Sequence, residues 1–137
     1  MDRRTFLTAS AATLLLPNAL MAAAGQPYTP GLIRSELQAG KTLFVDFYAD
    51  WCSTCKRQER IIRALRNENP VYDQQLTFIA VDWDQYRRAE ITQSLRIPRR
   101  STLVALKGNQ ELGRLVAATR ENRIKGLMDV ALQASVA

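Results

Sequence analysis

Cys52 and Cys55, the only cysteines in the chain, stand two residues apart where two different hydrophobic periods meet. Before them, residues 42–49 form an apolar run in which Leu43, Val45 and Phe47 alternate with Phe44, Asp46 and Tyr48. Both sets are mostly apolar, which suits a central strand covered on its two faces. After them, residues 52–67 carry Cys55, Ile62 and Leu65 at helical spacing, and Asn69-Pro70 ends the helix. Thiols at i and i+3 on a first helical turn share one face, close enough to close a small disulfide ring. A strand that feeds a helix through such a pair points to redox chemistry. The alternatives are an inert structural disulfide or two buried reduced thiols.

The rest of the chain extends the alternation. Residues 26–28 read as a short extended lead. A helix is expected over 29–38, with Pro30 at its first position, ended by Ala39-Gly40-Lys41. Strands are expected over 76–81 and 102–107, with a short helix over 87–95 between them. Gly108-Asn109 turns the chain into a hairpin partner over 111–116. A last helix over 120–134 repeats Ile124, Leu127, Met128 and Ala131 on one side. This order predicts an α/β fold: a mixed central sheet of about four strands, flanked by helices on both faces. A chain of 137 residues suits one such domain.

The first residues stand apart. Arg3-Arg4-Thr5-Phe6-Leu7 sets paired arginines before an apolar stretch over 6–24, which closes in Ala22-Ala23-Ala24. A basic start, an apolar middle and a small-residue end predict an export signal over 1–24, of twin-arginine type, and a domain over 25–137. Pro17 and Asn18 interrupt the stretch and argue against a durable membrane span. Cleavage is expected between Ala24 and Gly25; an uncleaved leader would anchor the chain to the membrane. The net charge of +6 is scattered along the chain. That favours acidic partner surfaces rather than nucleic acid. Histidine is absent, so the usual general base and the commonest metal ligand are both missing. Neither a metal nor another cofactor is expected.

Chemistry assigns roles within the pair. Cys52 falls at the helix N-terminus, where free backbone N–H groups and the helix dipole favour a thiolate. A pKa falling from about 8.5 to about 7 raises the thiolate at neutral pH from roughly 3% to roughly 50%. Nucleophilicity falls with pKa, so attack gains only about threefold; Cys52 also becomes a better leaving group. Cys52 is therefore the expected nucleophile and Cys55 the resolving thiol. Asp46 is a carboxylate in an apolar strand, where burial raises its pKa, and it is the best candidate proton acceptor in a chain without histidine. A partly wet, merely paired Asp46 is the alternative. Trp51 and Tyr48 are expected to wall the site, Trp83 to pack in the core, and Lys56 to be solvated.

Val45-Asp46-Phe47-Tyr48-Ala49-Asp50-Trp51-Cys52-Ser53-Thr54-Cys55-Lys56 resembles the active-site strand and helix start of the thioredoxin superfamily. Tyr48-Ala49-Asp50-Trp51-Cys52, Asn69-Pro70-Val71 and Ala80-Val81-Asp82-Trp83-Asp84 are similar to the periplasmic C-terminal domain of transmembrane thiol:disulfide interchange proteins. The resemblance implies a periplasmic thiol–disulfide oxidoreductase acting as a reductant. It would be a monomer that takes electrons from a membrane thiol transporter and passes them to oxidised periplasmic proteins. It implies a redox-active Cys52–Cys55 disulfide, and substrate contacts from Trp51, Arg100, Ser101 and Thr102. Arg99 and Arg100 would bring two cations near the thiols, and Ser53-Thr54 would tune the potential. Two departures stand out. Ser101 takes the position of the family's cis-proline, with Pro98 three residues too early; a cis bond before serine would cost about 3 kcal/mol, so a trans bond is expected. Ala80 stands where the family has a lysine near the buried aspartate. Other functions compatible with the residues are a disulfide oxidase or isomerase, a dimer sharing a metal or iron–sulfur cluster between two such sites, and a docking module with incidental cysteines.

Overall fold

The computed structural model describes residues 24–137. The leader expected over 1–24 therefore lies outside the described residues, except for Ala24. The chain runs β1 (Gln26–Pro27), α1 (Leu32–Gln38), β2 (Thr42–Tyr48), α2 (Ser53–Glu68), α3 (Val71–Gln75), β3 (Leu76–Asp82), α4 (Trp83–Tyr86), α5 (Glu90–Ser94), β4 (Thr102–Lys107), β5 (Gln110–Val116) and α6 (Glu121–Ser135). The sheet order is β1-β3-β2-β4-β5. β1 and β2 run parallel to β3, while β4 lies antiparallel to both β2 and β5. The predicted α/β fold with a mixed sheet between helical layers is the one observed.

Alternation along β2 and β4 sorts two cores. Phe44, Leu103 and Ala105 pack with Ile62 and Leu65 of α2 and with Ile124, Leu127 and Met128 of α6. Leu43, Val45, Phe47, Val104 and Leu106 face the other way, against Ile33, Ile91 and Ile97. By the same parity Asp46 shares the Phe44 face, the one that α2 covers. Ile62 has no exposed surface. Truncating such a side chain to alanine removes about 2–5 kcal/mol.

The structure refines four boundaries. The lead at Gln26–Pro27 pairs with Ile79 and Ala80, adding a fifth strand at the sheet edge. Just before it, Gly25 passes so near β3 that a Cβ there would lie 2.5 Å from the Phe78 carbonyl carbon. Helix α1 starts at Leu32 rather than at Pro30, because Gly31 takes a left-handed φ of 87° and is the last residue before the helical turns. Pro70 stops α2, as expected, and then serves as the N-cap of the short α3. The helix expected over 87–95 is observed only as α5, and the short α4 precedes that range. Asp82 accepts from the Asp84 amide at 3.0 Å and starts α4 at the very end of β3. Ala89, extended at ψ 151°, then breaks the run before α5.

Candidate dithiol active site

Cys52 leaves β2 in an extended conformation (φ −89°, ψ 113°) and caps α2 with its own sulfur, which accepts the Cys55 amide N–H at 3.2 Å. The local fold thus aims an otherwise unpaired helix N–H at the thiol. Cys52 and Cys55 are both free thiols, 4% and 2% exposed. Exposure barely separates them, so their difference in reactivity is electrostatic.

The third member of the group is Ser101. Its Oγ lies 3.2 Å from Cys52 Sγ and 3.0 Å from Cys55 Sγ, within hydrogen-bond reach of both. The residue is fully buried and left-handed, at φ 63°. No peptide bond among the described residues is cis, so the bond entering Ser101 is trans. Its backbone is pinned on both sides. The amide donates to the Phe47 carbonyl at 2.7 Å, and the carbonyl accepts from the Ala117 amide at 2.8 Å. Gln58 Nε2 adds a donation to the same carbonyl at 3.0 Å and another to that of Ala118, also at 3.0 Å. Sequence reasoning did not single out Gln58. The signal was present: 55, 58, 62 and 65 form one helical stripe, and a glutamine in a buried stripe requires internal partners.

Burial pushes the Cys52 thiol up, but hydrogen bonds from Cys55 Sγ and Ser101, from the Cys55 amide and from Arg100 outweigh it and bring it down to about 7. Cys55 moves the other way. Burial raises it, and its hydrogen bond to Cys52 holds its proton in place. One proton is therefore shared unequally, leaving Cys52 the anion. Asp46 is pushed up to about 8 by burial, then by the charges of Glu59 and Cys52. Ala80 is its register partner on β3, so no cation sits there, and Asp46 Oδ1 has no hydrogen-bond partner among the described residues.

The rim is built by Trp51 and Arg100. Trp51 is 61% exposed; its indole N–H donates to Asp84 at 2.9 Å, and the Arg100 guanidinium stacks over its ring at 4.3 Å. Tyr48 and Trp83 pack against the cluster of Ala49, Cys52 and Cys55, and Trp83 also borders the core on the α1 side. Burial and the nearby Asp82 and Asp50 push Tyr48 up to about 12, so it stays a phenol. Ser53 and Lys56 are exposed. Arg99 turns back onto its own loop, donating to the Arg100 carbonyl at 3.1 Å. Thr102, implied as a substrate contact by the resemblance, faces away from Asp46 and α2. It alternates with Leu103, so its side chain points to the opposite sheet face, and its hydroxyl donates to the Arg99 carbonyl at 2.6 Å. Cys52, Cys55, Ser101, Trp51 and Arg100 thus come together, with Asp46 beneath on the α2 face.

Comparison with known proteins agrees with this geometry. The Thioredoxin family model matches residues 31–130. The mitochondrial thioredoxin-2 of Schizosaccharomyces pombe is 35% identical over 88 residues, 64% of this chain and 62% of that protein. Thioredoxin H2-1 of rice is 30% identical over 59% of this chain and 54% of its own length. The chain thus spans less than two thirds of these two relatives. Thioredoxin-1 of Drosophila melanogaster is 27% identical over 69% of this chain and 83% of that protein. The crystal structure of Trxlp from Edwardsiella tarda superposes with a TM-score of 0.64 at 31% identity, covering 74% of this chain and 95% of that one. The chain carries a thioredoxin-like dithiol, Cys52 and Cys55, on a thioredoxin fold, and it belongs to the thioredoxin family.

Proposed function

We propose that this chain is an exported thiol–disulfide oxidoreductase that works as a reductant of disulfides in periplasmic proteins. One observation carries the reading: Cys52 caps α2 and its sulfur accepts the Cys55 amide at 3.2 Å, an arrangement that lowers Cys52 to about 7 while Cys55 keeps its proton. A thiol poised near neutral pH attacks readily, yet it is far from the value of about 3.5 found in strong disulfide oxidants. The Cys52 thiolate attacks one sulfur of a client disulfide. That S–S bond breaks, and the other client sulfur leaves as a thiolate and takes a proton from water. Cys55 then gives its proton to the Asp46 carboxylate, which is about one-tenth ionised at pH 7 for a pKa of about 8. The Cys55 thiolate attacks Cys52 Sγ, closes the intramolecular disulfide and releases the second client sulfur as a thiolate, which takes the proton held by Asp46. Two electrons have passed to the client. Trp51 and Arg100 offer the exposed surface on which a client strand rests.

The direction and the compartment have separate support. The motif's likeness to the periplasmic domain of transmembrane thiol:disulfide interchange proteins favours a membrane thiol transporter as electron donor. The paired arginines and the apolar stretch favour export. Ala24, at the expected cleavage point, is buried, and its carbonyl accepts from Arg66 Nη1 at 2.8 Å. Processing there would have to precede docking of this residue. The deciding experiment is covalent trapping. A Cys55→Ser variant expressed with its leader in a bacterial periplasm is expected to accumulate disulfide-linked clients on Cys52, and the wild type to reduce insulin disulfides. No adducts, together with a wild type inert toward insulin, would remove the proposal.

A further inference from the structure

We propose that Ser101 is a catalytic residue of the exchange reaction, its hydroxyl donating a hydrogen bond to whichever cysteine sulfur carries the negative charge. The proposal rests on the thiol–disulfide function above and adds a third reacting-site group to it. A hydroxyl has one hydrogen and two lone pairs, so it donates to one acceptor at a time and accepts from another. With Oγ 3.2 Å from Cys52 Sγ and 3.0 Å from Cys55 Sγ, the hydroxyl can donate to either sulfur, and it donates to Cys52 while that sulfur is the thiolate. The Cys55 amide, which donates to Cys52 Sγ at 3.2 Å, makes Cys52 rather than Cys55 the anion.

The same hydroxyl serves the second half of the reaction. Once Cys52 is bonded to a client sulfur, it no longer bears a charge. The hydroxyl hydrogen then swings to Cys55 as that sulfur loses its proton to Asp46. Only a rotation about the Cβ–Oγ bond is needed, and Ser101 itself neither gains nor loses a proton. A proline, as at this position in the family the motif resembles, has no hydrogen to offer.

The surroundings hold the hydroxyl in place. Ser101 is fully buried, and its amide and carbonyl are engaged by Phe47, Ala117 and Gln58. Its φ of 63° is one that glycine or asparagine would adopt more easily. Serine is thus placed against backbone preference at a point that reaches both sulfurs.

Two variants test this. Ser101→Gly removes the hydroxyl and relaxes the backbone; Ser101→Ala removes the hydroxyl and keeps the Cβ. Thiolate titration by ultraviolet absorbance is expected to show the Cys52 midpoint raised by about one pH unit in both. Such a rise would shift the equilibrium with glutathione toward the disulfide form by about twofold at pH 7 and about fivefold at pH 8. Single-turnover release of a client from the mixed disulfide should slow by roughly tenfold. An unchanged midpoint in either folded variant overturns the proposal, because the hydroxyl would then be filling space or easing the backbone. Should the alanine variant not fold, the glycine variant decides alone. The midpoint is read without any client: a wild type inert toward insulin removes the oxidoreductase function while leaving the hydroxyl's effect on the thiolate measurable.

Discussion

Gln58 Nε2 bridges the carbonyl oxygens of Ser101 and Ala118, at 3.0 Å from each, and so ties the second turn of α2 to the Ser101 loop beside the thiols and to the loop of Ala118. Ser101 keeps a second donor in the Ala117 amide. Replacing Gln58 with leucine would leave the buried Ala118 carbonyl without this partner and loosen the seat of Ser101. The expected loss is about 1–2 kcal/mol of stability, moderated because Gln58 Oε1 is itself buried without a partner among the described residues. The Cys52 thiolate midpoint should rise as the Ser101 hydroxyl drifts from the sulfur. Urea unfolding and thiolate titration on the same variant check both. A destabilised protein with an unmoved midpoint would confine Gln58 to packing.

Asp46 sets a pH dependence of stability. Its pKa is raised in the fold to about 8, against about 3.9 in an unfolded chain. The folded protein therefore holds a proton that the unfolded chain has released, and stability falls as pH rises from about 4 to about 8. The limiting slope is about 1.4 kcal/mol per pH unit. Cys52 works in the opposite sense over a narrower window. Its folded pKa of about 7 lies below the usual 8.5, so its contribution grows from about pH 7 to about 8.5. The net decline should thus be concentrated between pH 4 and 7. Denaturant unfolding of the reduced protein across this range should show it, and Asp46→Asn should flatten it. A wild-type slope unchanged by the substitution would mean that Asp46 is not the titrating group.

The parts of the site written in local pattern were legible before any coordinates. The run over 42–49 has apolar residues on both faces, and β2 is the central strand, buried from Thr42 to Phe47. The cysteine spacing gave the helix start, where Cys52 is the N-cap. What escaped depends on distant partners. A two-residue strand such as Gln26–Pro27 has no period to read, and only its pairing with Ile79 and Ala80 defines it. The extended Ala89 is not marked by glycine or proline, so the helix expected from residue 87 in fact starts at Glu90, and α4 before it went unread. Thr102 is the reverse case: its alternation with Leu103 already placed its side chain on the far face. The reach of Ser101 to both sulfurs follows from a φ of 63°, which serine does not announce.

Arg100 has two neighbours that compete for it. Its guanidinium stacks on Trp51, and it also lowers the Cys52 pKa, as the smallest of the lowering contributions. Arg100→Gln should therefore raise the thiolate midpoint by only a few tenths of a unit at low salt, since the group is partly solvated and screened. Raising the salt to about 1 M should produce part of the same shift in the wild type and none in the variant. A midpoint that responds to salt equally in both would assign the effect to other charges.

The two thiols should react apart although they are almost equally covered. With 4% and 2% exposure, access alone gives Cys52 little advantage. Cys52 receives the Cys55 amide and side-chain hydrogen bonds, whereas Cys55 is raised by burial and by holding its proton toward Cys52. Iodoacetamide should therefore label a Cys55→Ser variant along a pH profile with a midpoint near 7, because the serine hydroxyl replaces one donor for another. A Cys52→Ser variant should label with a midpoint above that of an ordinary thiol, because burial still raises Cys55, and more slowly at pH 7 than the Cys55→Ser variant. Peptide mapping of the labelled sites makes the comparison direct. Equal rates at pH 7 would show that the fold shields both sulfurs alike and does not polarise them, and the order of attack assigned to Cys52 and Cys55 would have to be abandoned.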